Sequence, residues 1–468
     1  MSKQQLVQWL DDHKEQFIDV AKKIWETPEI AFNENFASQE QQSLLEANGF
    51  SIITNVGDLP TAFVAEFGTG HPIIGILGEY DALPGLSQTV GVVKEEVLTN
   101  GPGHGCGHNL LGTAGVAAVI ALKKLFEADP IVGTIRYYGC PAEEVLSGKT
   151  FMARAGAFND LDCALSWHPG TANMVSNFRT SALTSVEFFF TGRTAHAATA
   201  HLGRSALDAV ELMNIGANYL REHVIDGTRI HYTITNGGIA PNIVPDKAST
   251  WYFLRGANRV QVDELLERVL KIAKGAALMT ETEVSFEIKA GAYDFNVNDS
   301  LNQLMFKQKE DVGPLQFTEE DQAFAEALVQ TLDPISRETS QRMLALFGIH
   351  ENTLLPTEFI NYKTLGGRIG GSSDLGDVSW ITPVGQVGTT CSAVGIPLHT
   401  WQATASFGSP IGFKGMLHAA KIIALSAYEL LVDGKEVLEQ AKAEFLQSTK
   451  GNAYIPAIPN DTKAPVPV

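Results

Sequence analysis

Apolar residues recur along the chain with a spacing that changes from segment to segment. Leu6, Trp9, Leu10, Phe17, Ile18, Ala21 and Ile24 fall near helical spacing, with Pro28 just beyond, and predict an amphipathic opening helix. Pro72-Ile-Ile-Gly-Ile-Leu-Gly78 has the pattern of a buried strand, and Leu110 to Phe126 that of a mostly apolar helix. Gly133-Thr-Ile-Arg-Tyr-Tyr-Gly139 alternates as a strand does. Ala164-Leu-Ser-Trp-His168 and Ile396-Pro-Leu-His399 each end a short apolar stretch with an imidazole, and both predict strands that stop at a site rim. Ser185-Val-Glu-Phe-Phe-Phe190 and Thr250-Trp-Tyr-Phe-Leu254 predict strands. Ser205 to Arg221 and Val262 to Leu278 predict helices, the first with Leu207, Val210, Leu212, Met213 and Ile215 near helical spacing. The class is α/β. From Asn296 to Thr364 the pattern is polar and mixed, with a helix around Asp321 to Leu332. Gly451 to Val468 is proline-rich and predicts an extended tail, packed on the surface or partly disordered. No internal repeat is evident.

Chemistry-bearing residues gather where these elements end. Gly101-Pro-Gly-His-Gly-Cys-Gly-His-Asn109 sets Cys106 and His108 two residues apart in a glycine-rich run, so that both side chains can reach one ion. The helix that follows presents its N-terminus, whose dipole favours a thiolate. The Gly133–Gly139 strand delivers Pro141-Ala-Glu-Glu144 to a strand end, where α/β folds place catalytic groups. Adjacent carboxylates can divide the work, one binding metal while the other takes a proton from water. His168 and His399 add two imidazoles. Singly, a buried cysteine, a lone histidine or a pair of loop glutamates is more often structural or solvated. Metal ligands come from several separated strand ends, and these residues do so together.

The residues resemble a known family, the two-metal aminoacylase and carboxypeptidase G amidohydrolases and peptidases, in the branch with a Cys-Gly-His motif. The resemblance spans almost the whole chain, through Gly78-Glu-Tyr-Asp-Ala-Leu-Pro84, Gly103-His-Gly-Cys-Gly-His-Asn-Leu-Leu-Gly-Thr113, Pro141-Ala-Glu-Glu144, Trp167-His-Pro169, Ala195-His-Ala-Ala198, Pro241-Asn-Ile-Val-Pro245, Gly371-Ser-Ser-Asp374 and Pro397-Leu-His-Thr-Trp401. It implies two divalent ions, Mn²⁺ or Zn²⁺, bridged by Cys106 and completed by His108, Glu144, His168 and His399. Glu143 would be the general base, and Asp81 would orient a ligand from outside the coordination shell. The implied fold is a zinc-peptidase-like catalytic domain, residues 1–175 and 292–468, with a mixed central sheet flanked by helices. An inserted ferredoxin-like α+β domain, 176–291, would dimerise and serve as a lid. His196 would reach the partner's site to steady an oxyanion, and Asn242 and Arg255 would contact substrate, Arg255 through a carboxylate. The implied activity is amide hydrolysis of N-acyl amino acids with an aromatic acyl group, p-aminobenzoyl-glutamate first, with an indole-acetyl-aspartate type conjugate or a dipeptide as alternatives. The implied assembly is a homodimer, or a heteromer with a related A subunit. The chain departs from the pattern at three places. Val145-Leu146 stand where many relatives carry glycines, Asn109 where the branch often has Asp, and Glu79 where the wider family has a metal-binding His.

Composition narrows the partners. With 468 residues, 44% hydrophobic and 19% charged, the chain reads as more than one globular domain with a sizeable core. A net charge of -19 argues against nucleic acid, since no basic stripe exists to displace phosphate counterions. Bound dications and local arginines still admit an anionic substrate. Cysteines at 106, 140, 163 and 391 form no regular framework, and the opening residues hold no continuous apolar core for a signal peptide. The longest small-apolar run, near Gly112 to Leu122, is too short to span a bilayer. The expectation is a cytoplasmic protein without a membrane partner.

Three rival readings meet specific residues. A P-loop, suggested by Ser147-Gly-Lys-Thr150, needs glycine where Glu143 stands. A thiol hydrolase with Cys106 as nucleophile and His108 as base leaves Glu144, His168 and His399 unexplained. A noncatalytic metal-binding partner subunit is disfavoured because Glu143 and every ligand are present.

Overall fold

The computed structural model describes residues 2–128, 131–345, 348–350, 352–360 and 366–466. Among them eleven strands form two sheets. In chain order these are β1 (Ser51–Thr54), β2 (Phe63–Thr69), β3 (Ile73–Glu79), β4 (Gly133–Cys140), β5 (Cys163–Gly170), β6 (Met174–Val175), β7 (Ala182–Thr191), β8 (Arg229–Asn236), β9 (Lys247–Gly256), β10 (Glu283–Ala292) and β11 (Val384–Thr390).

The larger sheet runs β1-β2-β4-β3-β5-β11-β6. Its centre, β4-β3-β5-β11, is parallel and its flanks are antiparallel. Every residue of β3 is buried, as expected of a strand covered on both faces. The helices His108–Ala128 and Pro410–Val432 pack on this sheet and on each other. Both are long and apolar enough to cross a membrane by length and composition, yet most of each lies buried inside the protein. The Gly112–Leu122 run is thus the middle of a longer core helix.

The opening helix is two helices, Lys3–Asp12 and Lys14–Glu26. The break falls at His13, whose ring stacks on Trp9 with its Nδ1 2.8 Å from the Trp9 carbonyl. A side chain drawn to the backbone in this way competes with helix continuation. Leu6, Leu10, Phe17, Ala21 and Ile24 still face the core as the spacing predicts. At the same corner Lys3 Nζ contacts Asp311 at 2.9 Å and Glu429 at 2.8 Å, and Lys307 meets Glu429 at 3.0 Å. Burial raises the Glu429 pKa, but Lys3, Gln308 and Lys307 outweigh it and bring it down to about 2. A depressed pKa contributes stability above the unfolded value, near 4.5, that is lost as pH falls through the folded one. In melts across pH, Glu429→Gln should be less stable than wild type at pH 7, and the gap should close between about pH 4.5 and 2. A gap constant across that window would refute the assignment.

The second sheet runs β10-β7-β9-β8, all antiparallel. Helices Ala206–Leu220 and Arg259–Thr280 cover one face, burying Val186, Phe188, Tyr252 and Leu254 against Val210, Met213 and Val269. Strand-helix-strand, strand-helix-strand with this order is the ferredoxin-like arrangement that the resemblance implies.

Between Asn296 and Thr364 the mixed pattern resolves into helices Asp299–Lys307, Lys309–Val312, Glu319–Gln330 and Pro334–Ala345. Glu319–Gln330 matches the expected helix and opens on a Thr318–Asp321 capping box. Residues 361–364 of that stretch lie outside the described residues. The tail is packed: Tyr454 Oη donates to Asp377, Tyr293 Oη donates to the Ile455 carbonyl, and Ile458 is buried.

Candidate metal centre

The site forms at the ends of β3, β4 and β5, where the parallel centre of the sheet opens. β3 ends on Glu79, with Asp81 two residues on. Cys106 precedes the helix that begins with His108. Gly107 between them has φ +80°, and a Cβ there would sit 2.9 Å from Pro169, so the turn needs glycine. After β4, Glu143 and Glu144 occupy a single 3-10 turn framed by Ala142 and Leu146, both left-handed at φ +56°. Leu146 is buried against Leu183 and Ala292, at the root of the second sheet. His168 stands on β5. His399 corrects the expected strand: Ile396–His399 is a loop, because Gly395 and His399 both take positive φ.

Three groups of donors result, each with its ligand atoms within 4.8 Å of one another: Cys106, His108 and His168; Cys106, Glu144 and His399; and Glu79, His108 and Glu143. Cys106 is common to the first two. Its Sγ is 3.5 Å from His168 Nε2, and His399 Nε2 is 3.4 Å from Glu144 Oε2. Hydrogen bonds aim these donors. Asp81 Oδ1 meets His108 Nδ1 at 2.8 Å and its Oδ2 accepts the Glu144 backbone N–H at 2.9 Å. His168 Nδ1 meets the Pro169 carbonyl at 2.7 Å, and the His399 N–H donates to the Gly105 carbonyl at 2.9 Å. For His108 and His168 the engaged Nδ1 leaves Nε2 to point inward. His108 Nε2 and Glu144 Oε1 are buried without a hydrogen-bond partner, which suits atoms reserved for a cation.

The electrostatics agree. Burial, with the charges of Glu79 and Asp374, pushes the Glu143 carboxyl well above its ordinary range, and burial raises Glu144 to about 7. Burial and Glu144 raise the Cys106 thiol. Such crowded acids would be relieved by bound dications, whose charge would lower these pKa values and favour the thiolate. A thiol, imidazoles and carboxylates gathered in this way would fit two divalent ions.

Sequence reasoning missed the frame around these donors. Lys149, fully buried, contacts Glu79 Oε1 and Asp374 Oδ1, both at 2.6 Å, and its own N–H donates to Asp374 Oδ2 at 2.8 Å. Burial works against charge on Glu79, but Lys149 and His108 outweigh it and its pKa is lowered. Glu34, also buried, accepts from the N–H of Phe32 and of Ala142 and from the Thr61 hydroxyl, and so anchors the turn that bears the paired glutamates. The Lys149 run had only a nucleotide-loop reading, and its partners lie far away in sequence.

His196 and Asn242 come together away from these groups. The His196 ring accepts the Ala198 N–H at 3.0 Å and the Asn242 carbonyl accepts the Ala197 N–H at 3.0 Å, both residues being exposed. Arg255, half-buried on β9, donates to the Gly370 carbonyl at 3.0 Å and the Ser372 hydroxyl at 3.2 Å. It links the second sheet to the loop that leads to Asp374.

The chain is 42% identical to the B component of the p-aminobenzoyl-glutamate hydrolase of Escherichia coli K12, over 99% of this chain and 100% of that protein. It belongs to the M20 peptidase family. An M20 profile described as a peptidase dimerisation domain matches residues 179–280, most of the second sheet and its helices. The Xaa-Arg dipeptidase of Mus musculus is 28% identical over 95% of this chain and 92% of its own. A Bacillus subtilis structure described as a dinuclear metal binding peptidase from the M20 family superposes with a TM-score of 0.58 at 16% identity, covering 89% of this chain and 98% of that one. The M20 fold, a mixed sheet flanked by helices with a dimerisation domain, is that of this chain.

Proposed function

We propose that this M20 chain is a metal-dependent amidohydrolase that cleaves N-acyl amino acids, with p-aminobenzoyl-glutamate as the first substrate. The observation that carries this reading is the convergence of two donor groups on Cys106, with His108 Nε2 and Glu144 Oε1 buried without a hydrogen-bond partner, in a chain so similar to the Escherichia coli hydrolase component. Cys106, His108, Glu144, His168 and His399 would hold two divalent ions. A thiolate with imidazoles suits Zn²⁺, while the carboxylates admit Mn²⁺. When bound, the ions supply a water of lowered pKa and polarise the substrate carbonyl. Asp81 keeps His108 in the tautomer that offers Nε2. Glu143, buried beside the ligands, takes the proton from the attacking water and returns it to the amine nitrogen as the C–N bond breaks. Arg255 receives the carboxylate of the amino acid, Asn242 contacts the substrate, and His196 of a second copy steadies the oxyanion.

Residues 176–291 serve in this reading as an inserted lid and dimerisation unit. Support comes from β8, an edge strand that pairs only with β9 among the described residues and is exposed along nearly its whole length, and which carries exposed Tyr232 and Ile234 beside exposed Ile215 and Tyr219 of the neighbouring helix. We read the assembly as a homodimer through this edge, with a heteromer containing a related A-type partner as the alternative. Four buried, unbridged cysteines fit a reducing, cytoplasmic setting.

The test is to strip the purified chain of metal and follow p-aminobenzoyl-glutamate cleavage before and after adding Mn²⁺ or Zn²⁺. Cleavage should vanish and return. Metal uptake without cleavage would point to another acyl amino acid, a dipeptide or a noncatalytic partner role. No uptake would sink the metal reading.

A further inference from the structure

Side chains on a strand alternate between the two faces of its sheet. In the second sheet Val186, Ile230, Tyr252 and Leu254 meet the helices, so Leu183, Phe253, Arg255, Arg229 and His231 stand on the opposite face. Across that face one row reads Leu183 of β7, Arg255 of β9 and Arg229 of β8, each directly opposite the next. The row starts beside the turn that bears Glu143 and Glu144, because Leu183 packs on Leu146 of that turn. Arg255 keeps to the same neighbourhood through the Gly370 carbonyl and the Ser372 hydroxyl. With neighbouring strands about 4.8 Å apart, Arg229 lies about one strand spacing farther out than Arg255.

Two guanidiniums directly opposite each other repel. Among the described residues both bond only neutral oxygens, Arg229 Nη1 the Thr228 carbonyl at 3.0 Å, and Arg255 Nη1 the Gly370 carbonyl at 3.0 Å and the Ser372 hydroxyl at 3.2 Å. Burial and the charges of Arg255, Arg221 and Arg229 depress the pKa of His231, one step along the same face. In a chain of net charge -19 this gathering of cations points to an anion as its partner.

We propose that Arg229 binds the side-chain carboxylate of an amino acid whose α-carboxylate Arg255 holds, so that the amides this chain cleaves are those of N-acyl dicarboxylic amino acids. This rests on the amidohydrolase reading above and names its substrate class. In an N-acyl-glutamate the carbon that carries the amide nitrogen also carries the α-carboxylate, and the side-chain carboxylate lies beyond two methylenes. The order of amide, α-carboxylate and side-chain carboxylate follows the order of the glutamate turn, Arg255 and Arg229. Each guanidinium offers a planar fork to a carboxylate, and a dicarboxylate shared by the pair offsets their repulsion. A neutral side chain offers Arg229 no such partner.

The experiment uses the full chain stripped of metal, where turnover does not interfere, and measures binding of p-aminobenzoyl-glutamate and p-aminobenzoyl-glutamine by the fluorescence of the aminobenzoyl group. Wild type, Arg229→Gln and Arg229→Lys are compared. Charge-assisted hydrogen bonds to the side-chain carboxylate should make wild type bind the glutamate conjugate about 10–100-fold more tightly than the glutamine conjugate. Arg229→Gln should close that gap, and Arg229→Lys, which keeps the charge without the fork, should keep part of it. Arg229 is exposed, so neither substitution disturbs the core. A gap that persists in Arg229→Gln, a loss that falls equally on both conjugates, or a wild type that binds the two alike or not at all would overturn the assignment. Cleavage after metal is returned reports separately. The expected binding gap without cleavage would sink the amidohydrolase reading and uphold Arg229, and cleavage without a gap would do the reverse.

Discussion

Glu143→Gln should lower kcat by about 10²–10⁴-fold, the usual range for a lost general base, while both ions are taken up as in wild type. In free energy this is about 3–5 kcal/mol of transition-state stabilisation. Glutamine matches glutamate in shape, so the turn anchored by Glu34 and Asp81 keeps its geometry. KM should change little, because Glu143 acts on the water and the leaving amine. Steady-state kinetics with metal analysis on the same preparation decides the matter. Activity within a few-fold of wild type would remove Glu143 from the chemistry, and loss of an ion would make it a ligand.

Lys149→Met should destabilise the fold by about 3–5 kcal/mol, the cost of removing one partner from a buried ion pair. Lys149 and Asp374 are both fully buried and Glu79 nearly so, and the three join the end of β3, the helix Gly148–Arg154 and the loop after Gly371. Methionine fills similar space but leaves two carboxylates facing each other without a cation. Adding Glu79→Gln and Asp374→Asn to Lys149→Met should recover part of the loss by removing both stranded charges. Thermal melts of the single and triple variants test this. A single variant that melts with wild type would show that water or a rearrangement satisfies the carboxylates.

The candidate donors that the structure brings together were legible because each signal is local: a Cys-Gly-His triplet in a glycine run, a glutamate pair after an alternating strand, and imidazoles at the ends of apolar stretches. The family resemblance bound these fragments into one set. The ion network of Lys149 was not legible, since Glu79 stands 70 residues before it and Asp374 225 residues after it, and nothing in Ser147-Gly-Lys-Thr150 announces burial. The break at His13 depends on a ring stacking against Trp9, a contact that spacing does not encode. The second sheet was half visible. β7 and β9 lie at its centre and carry dense apolar residues, but β8 and β10 lie at its edges, where exposure on one side dilutes the pattern.

Leu146 ties the turn that carries Glu143 and Glu144 to the rest of the chain. A left-handed leucine costs about 1–2 kcal/mol against the right-handed conformation, and here it is held by packing on Leu183 of β7 and Ala292 at the end of β10. The two sheets are therefore not interchangeable modules. A chimera that imports residues 182–292 from a homologue with a differently shaped root would remove the brace that keeps Glu143 and Glu144 in place. Recombination within the family, natural or engineered, would have to carry position 146 along with the insert.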